Sequence, residues 1–228
     1  MDNSFKLTRR LFKSAISTIL KEKGNTYVLS ESAFPAYANK NYLIDKLFWG
    51  RVYHSYNYIL NNYINAKILD FGCGSGILSY LLGNKNFEVL AYDIIIDPLN
   101  MVREQISFGD NITVSDLPLE QIVESNKNMF DCIVALDVLE HIDDLLPYME
   151  KFKHLLKENG QVIFSGPTEN ILYKLGRKFA GNDYSGDYHV SNINTISNFF
   201  RNYGKVEKIK TLYPVIPLFE IYSFKYFK

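Results

Sequence analysis

The chain has 228 residues, with 25 Lys and Arg against 25 Asp and Glu, so its formal net charge is zero. That balance argues against a dedicated nucleic-acid binder, which draws much of its affinity from a basic excess that neutralises phosphates. A hydrophobic fraction of 47% and a charged fraction of 22% exclude disordered and collagen-like classes. The length suits one α/β domain with room for an extension. No apolar run reaches the roughly 18–20 residues that span a bilayer, and no secretory leader is expected. Cys73 and Cys132 form neither a disulfide framework nor a zinc-site spacing, so the expected setting is reducing and cytoplasmic.

In chain order, residues 1–23 predict a helix, with Phe5, Leu11, Phe12, Ile16, Ile19 and Leu20 toward one side. It is locally basic, through Lys6, Arg9, Arg10, Lys13, Lys21 and Lys23, and Gly24 with Asn25 stops it. A second helix is expected over 41–64, where Trp49, Val52, Tyr56, Ile59 and Tyr63 recur every three or four residues. Residues 1–64 therefore read as a helical extension or cap, and residues 65–228 as the main domain. From Ala66 short apolar strands alternate with helices, which is the signature of βαβ units and a largely parallel sheet. The expected strands are AKILDF (66–71), FEVLAYD (87–93), NITVS (111–115), FDCIVALD (130–137) and GQVIFSG (160–166). LLPYMEKFKHLLK is the helix before the fifth strand. A loop-rich stretch runs to about residue 191, followed by the helix TISNFFRNYG, closed by Gly204. KVEKIKTLY and LFEIYSFKYF complete the chain as two strands, expected to pair antiparallel.

The chemistry centres on Asp70-Phe71-Gly72-Cys73-Gly74-Ser75-Gly76, which follows the first strand and opens a helix near Ile77. Glycines here allow a sharp turn and close approach of a ligand, because no Cβ intervenes. A dinucleotide loop would read G-x-G-x-x-G, whereas this spacing is G-x-G-x-G, with Ile77 where the third glycine of that fingerprint belongs. The loop is tighter and need not hold a phosphate. Asp93 ends the next strand, 19 residues beyond Gly74, where a carboxylate can accept hydrogen bonds from both hydroxyls of a ribose.

ILDFGCGSG, AYD and FDCIVALDVLEHIDD resemble the motifs of class I methyltransferases, in particular the ubiquinone/menaquinone-biosynthesis type, across residues 66–166. The resemblance implies a Rossmann-like three-layer α/β sandwich, with a seven-stranded, mostly parallel sheet and an antiparallel last strand. It also implies S-adenosylmethionine as methyl donor and S-adenosylhomocysteine as product. In that reading Gly72, Gly74 and Gly76 face the methionine part and sugar, Asp70 helps hold the ammonium, and Asp93 binds the ribose. Asp116 and Leu117, in VSDLP, flank the adenine. Cys73 is assigned no catalytic role, since attack on a sulfonium methyl needs no thiolate.

Residues 131–150 hold six acids and neither Lys nor Arg. Asp143 and Asp144 suit the start of a helix, where negative charge is favourable. Asp137, at the mouth of the fourth strand, is expected beside the transferable methyl and counts as both a cofactor-side and a catalytic candidate. Asp137-x-x-Glu140-His141 has carboxylate and imidazole donors that could hold a cation. V-L-E-H-I is also common in metal-free relatives, so no metal is assigned; shaping the pocket wall is the expected role of Glu140 and His141. The stretch 165–194 is where acceptor specificity resides in such enzymes. Its His189 is the candidate general base, titrating near neutrality, with His141 and Asp137 as alternatives.

The expected acceptor is a small molecule, with oxygen favoured over nitrogen or carbon. The rival readings are a nucleic-acid methyltransferase, a non-catalytic S-adenosylmethionine-binding partner and, more distantly, a nicotinamide dehydrogenase. The basic amphipathic N-terminus raises one further expectation, contact with an anionic membrane surface or a lipid-linked acceptor. Its counter-reading is that residues 1–23 pack on the sheet or cover the cofactor.

Overall fold

A computed structural model describes residues 3–168, 190–213 and 217–227. Seven strands form one sheet in the order β3-β2-β1-β4-β5-β7-β6. Their bounds are β1 Lys67–Phe71, β2 Glu88–Tyr92, β3 Ile112–Ser115, β4 Phe130–Leu136, β5 Leu156–Pro167, β6 Gly204–Leu212 and β7 Phe219–Tyr226. β2 runs parallel to β3, and β1 and β5 both run parallel to β4, while β7 is antiparallel to both β5 and β6. The Rossmann-like seven-stranded expectation is met, including the antiparallel last strand. The chain divides into two compact units, residues 1–65 with 72–116, and residues 66–71 with 117–228.

In the first unit, α1 (Asn3–Lys23) buries Phe5, Phe12, Ala15, Ile16 and Ile19 along one side. This is the 3.6-residue period expected of an amphipathic helix. α2 (Tyr27–Glu31) starts at Thr26, whose hydroxyl accepts from the Leu29 N–H, and α3 (Phe34–Ala38) follows. α4 (Tyr42–Asn62) begins where the Asn41 side chain accepts from the N–H groups of Leu43 and Ile44, so the orphan donors of the first turn are met. The short helices α2 and α3 were not foreseen, because five residues are too few for periodicity to show. Phe5 meets Trp49 and Tyr53 edge-on, and Phe12 meets Tyr80 and Phe108.

Buried Asp45 on α4 pairs with both Arg9 and Lys13 of α1, the latter at 2.5 Å. These contacts commit the apolar side of α1, and two of its cations, to this unit. Leu7 and Leu11 are the large apolar residues of α1 left exposed. α5 (Ile77–Gly83) and α6 (Asp97–Arg103) complete the unit. Among the described residues, no helix is long and apolar enough to cross a membrane.

In the second unit, α7 (Leu119–Ser125), α8 (Leu146–Leu155) and α9 (Ile193–Arg201) flank the strands. Phe152 of α8 packs edge-on against Phe71, and Phe200 of α9 stacks on Phe164. α8 stops at Leu155, and β5 starts four residues earlier than the expected 160, because Leu156 is already extended and pairs with Phe130 before a register shift at Cys132. α9 starts at Ile193 because Asn192 caps it, accepting from the N–H groups of Asn194 and Thr195.

Gly204, expected as a helix stop, is also a packing requirement. A Cβ there would lie 2.0 Å from the Lys225 carbonyl oxygen and 2.4 Å from a ring carbon of Phe224. Backbone in a paired strand cannot step aside. Gly204→Ala should therefore destabilise the chain by about 3 kcal/mol, the upper part of the usual overpacking range, seen as a lower urea midpoint. An unchanged midpoint would mean that the β6–β7 pairing is not as described.

Candidate functional site

The glycine turn leaves β1 and enters α5. Gly72, Gly74 and Gly76 all have positive φ, at 74°, 51° and 74°, a region strained for any residue with a Cβ. The N–H groups of Gly72 and Cys73 both donate to the Tyr92 carbonyl at the end of β2, at 2.8 and 3.0 Å. Gly76 has a second reason to be glycine, since a Cβ would stand 2.9 Å from Leu99 Cδ1 and 3.1 Å from Phe108.

Asp93, just beyond β2, is tied into this turn. Its Oδ2 accepts from the Gly74 N–H at 2.8 Å, and its Oδ1 accepts from the Ile95 N–H at 3.3 Å. Burial pushes its pKa above the ordinary carboxylate value, while backbone hydrogen bonds from Gly74, Ile95 and Ile94 pull the other way. Each carboxylate oxygen has a second lone pair, so both can still accept from a diol. Sequence reasoning gave Asp93 one role, ribose binding; the structure adds a second, fixing the glycine turn. Ile94 and Ile95 next to it are exposed, an apolar surface suited to a flat base that the sequence reading passed over. Their only signal was an isoleucine run outside any strand pattern. Asp116 belongs to the same unit and lies exposed just after β3.

The remaining candidates belong to the second unit. Asp70 is buried in β1, in register with Val134 of β4. Leu117 is exposed. Asp137 follows β4 with φ 57°, a left-handed conformation uncommon for a residue with a Cβ. Two contacts with Ser165 hold it there. The Asp137 N–H donates to the Ser165 carbonyl at 3.2 Å, and the Ser165 hydroxyl donates to Asp137 Oδ1 at 2.8 Å. Ser165 is fully buried, and it is a functional candidate that sequence reasoning missed. A lone serine ending an apolar strand carries no signal of its partner 28 residues away.

Leu139–His141 form a single 3₁₀ turn in which Glu140 is buried and His141 is exposed. The Glu140 carbonyl accepts from the N–H groups of Val190 and Ser191, at 2.9 and 3.3 Å. Among the described residues, no three His, Cys, Asp or Glu side chains are grouped as metal ligands. His189 lies outside the described residues. Both cysteines are buried thiols.

These residues fit the methyl donor that the sequence motifs imply. A turn with glycine at positions 72, 74 and 76 gives close access to backbone, and a carboxylate fixed by two backbone N–H groups is preorganised for a ribose diol. When bound, S-adenosylmethionine supplies a methyl group on a positively charged sulfur. In the first unit Gly72, Gly74, Gly76 and Asp93 are the residues that would hold it, with Asp116 as a further candidate there; Asp70, Leu117 and Asp137 are the candidates in the second unit.

Comparison with known proteins agrees. A family model described as a methyltransferase domain matches residues 14–204. The ubiquinone biosynthesis O-methyltransferase of Vibrio cholerae is 29% identical over 119 residues, covering 50% of this chain and 49% of that protein. The corresponding protein of Aliivibrio fischeri is 30% identical over 119 residues, 50% of this chain and 51% of its own length. The chain thus spans about half the length of the curated relatives it matches. Among solved structures, the N-methyltransferase NodS from Bradyrhizobium japonicum, in complex with S-adenosyl-L-homocysteine, superposes with a TM-score of 0.62 at 13% identity over the whole of both chains. The magnesium protoporphyrin IX methyltransferase of Synechocystis, also with bound S-adenosylhomocysteine, gives 0.58 at 19% identity, covering 91% of this chain and 98% of that one. With the family model covering most of its length, the chain belongs to the methyltransferase-domain family, in its class I, S-adenosylmethionine-dependent branch.

Proposed function

We propose that the chain transfers the methyl group of S-adenosylmethionine to a hydroxyl oxygen of a small molecule, with residues 1–64 as a helical extension to a domain spanning 65–228. The observation that carries the donor side is the Gly74 N–H to Asp93 hydrogen bond, which joins the glycine turn to the ribose carboxylate. The oxygen preference is supported by the curated relatives, which are O-methyltransferases by name. A neutral formal charge supports a small acceptor over a nucleic acid, and two free thiols support a cytoplasmic setting.

The reaction is an in-line displacement. The acceptor oxygen bonds to the methyl carbon, the carbon–sulfur bond breaks, its electron pair stays on sulfur, and the hydroxyl proton passes to a base. The leaving group is already good, so the protein contributes mainly alignment and exclusion of water. Gly72, Gly74 and Asp93 hold the donor, Asp137 borders the reacting end, and His189 takes the proton.

The lipid-surface reading has less support, since the apolar side of α1 is buried within its own unit.

The test is a methyl-transfer assay with isotope-labelled S-adenosylmethionine against catechols, other phenols, amines and an RNA. Labelled methyl ether from a phenolic acceptor is expected. Transfer to amines alone would overturn the oxygen preference, and transfer to RNA alone would overturn the small-molecule class. Tight S-adenosylhomocysteine binding with no transfer to any acceptor would favour a non-catalytic binding partner.

A further inference from the structure

The motif that explains the donor site begins at Asp70, yet the backbone of a residue far upstream lies against it. A Cβ placed on Gly74 would stand 3.9 Å from the Ser32 carbonyl oxygen and 4.0 Å from both Ser32 Cα and Ser32 Cβ. Ser32 therefore lies close beside the one glycine whose N–H holds Asp93, near enough that a side-chain carbon added at Gly74 would touch it. The turn carrying it is built with care. Ser32 ends α2, its N–H donating to the Val28 carbonyl, and the Ala33 N–H donates to Ser30. Ala33 has φ 57° and ψ 23°, a left-handed conformation uncommon for a residue with a Cβ.

Such strain persists where the surroundings over-determine it. Here Leu29 and Phe34, on either side, are fully buried. α3 beyond the turn is anchored in turn, since its Tyr37 carbonyl accepts from Trp49 Nε1 at 3.2 Å, and the two rings meet edge-on. The Ser32 side chain is only half-buried, and its hydroxyl has no hydrogen-bond partner among the described residues.

Resting on the donor-binding reading above, we propose that the Ser30–Ala33 turn is a wall of the donor site and that the Ser32 hydroxyl is a ligand of the bound donor, at the end where Gly74 and Asp93 hold the sugar. The left-handed Ala33 turns the chain beside the glycine turn, and the packing of α3 on Trp49 holds that turn in place. The N-terminal extension then supplies part of the binding site and is more than a cover for the sheet.

The experiment is a calorimetric titration of the wild-type chain and Ser32→Ala with S-adenosylhomocysteine, together with hydrogen exchange over residues 26–38 with and without that ligand. Emission of Trp49, the sole tryptophan, checks that α3 keeps its seat in the variant. The expected result is a roughly three- to tenfold loss of affinity in Ser32→Ala, the worth of one neutral hydrogen bond, with exchange over 26–38 slowed by ligand in the wild type. Equal affinity in the two chains would overturn the proposal and leave the donor reading standing. So would an unliganded Ser32→Ala chain whose 26–38 amides exchange faster than the wild type's, because the serine would then be structural. If the wild type binds no S-adenosylhomocysteine at all, the donor reading fails first and the proposal with it.

Discussion

Asp93→Ala should lower S-adenosylhomocysteine affinity at least tenfold while the chain still folds. Two ribose hydroxyls donating to a charged acceptor are each worth roughly 1.5–3 kcal/mol, and tenfold corresponds to about 1.4 kcal/mol. The structure adds a second contribution. Removing the carboxylate also releases the Gly74 and Ile95 N–H groups that it holds, so the glycine turn loses its anchor as well. Asp93→Asn separates the two effects, since its amide oxygen can keep the Gly74 bond while the charge is gone. Acidification supplies a further check. Burial raises the Asp93 pKa, so the carboxylate takes up its proton at a higher pH than an ordinary aspartate. Affinity should fall as the pH drops through that raised value, and Asp93→Asn should lose this dependence. The stability linkage has the opposite sign. Between the ordinary and the raised pKa the folded chain binds more protons than the unfolded one, so Asp93 reduces stability as pH rises through that window. Calorimetry across pH reads the first effect. An affinity unchanged in Asp93→Ala would mean that the ribose is held elsewhere.

His189→Ala should reduce kcat by roughly 10² or more, the usual size of a general-base contribution, with donor affinity nearly constant. The reasoning is chemical. A hydroxyl acceptor must lose its proton as the methyl arrives, and a histidine titrates near pH 6.5, whereas an aspartate is a weak base with a reference pKa of about 3.9. Asp137, the motif-placed alternative, already has one oxygen engaged by the Ser165 hydroxyl, which supports a positioning role for it over proton transfer. The described chain resumes at Val190, bonded with Ser191 to the Glu140 carbonyl. The pH–rate profile of the variant should lose its limb near neutrality. If a substrate is in hand and the variant keeps wild-type kcat with that limb intact, the base is Asp137 or His141.

Much of this fold is legible in the residues themselves. Short apolar strands from Ala66 onward, each followed by a turn or helix signal, fix a parallel α/β sheet by periodicity alone. The glycine turn and Asp93 are equally legible, because positive φ leaves glycine as the unstrained choice and a strand end presents its carboxylate at a known place. Local signals of this kind survive in a one-dimensional reading because backbone conformation depends on the residue and its near neighbours.

Other features are long-range and could not be read that way. Ser165 fixes Asp137 from 28 positions away. Ser32 comes to lie beside Gly74 from the far side of two helices in sequence. Asp45 pairs with cations of α1 more than 30 residues earlier. A serine or an aspartate has no periodicity, and its role is set by whichever backbone folding brings against it. The sequence by itself determined the sheet, the glycine turn and the carboxylate at the end of β2. Tertiary structure alone decided that Asp93 also anchors the turn, that Asp137 is strained and held, and that the apolar side of α1 is turned inward, because each depends on packing between segments that no local pattern connects.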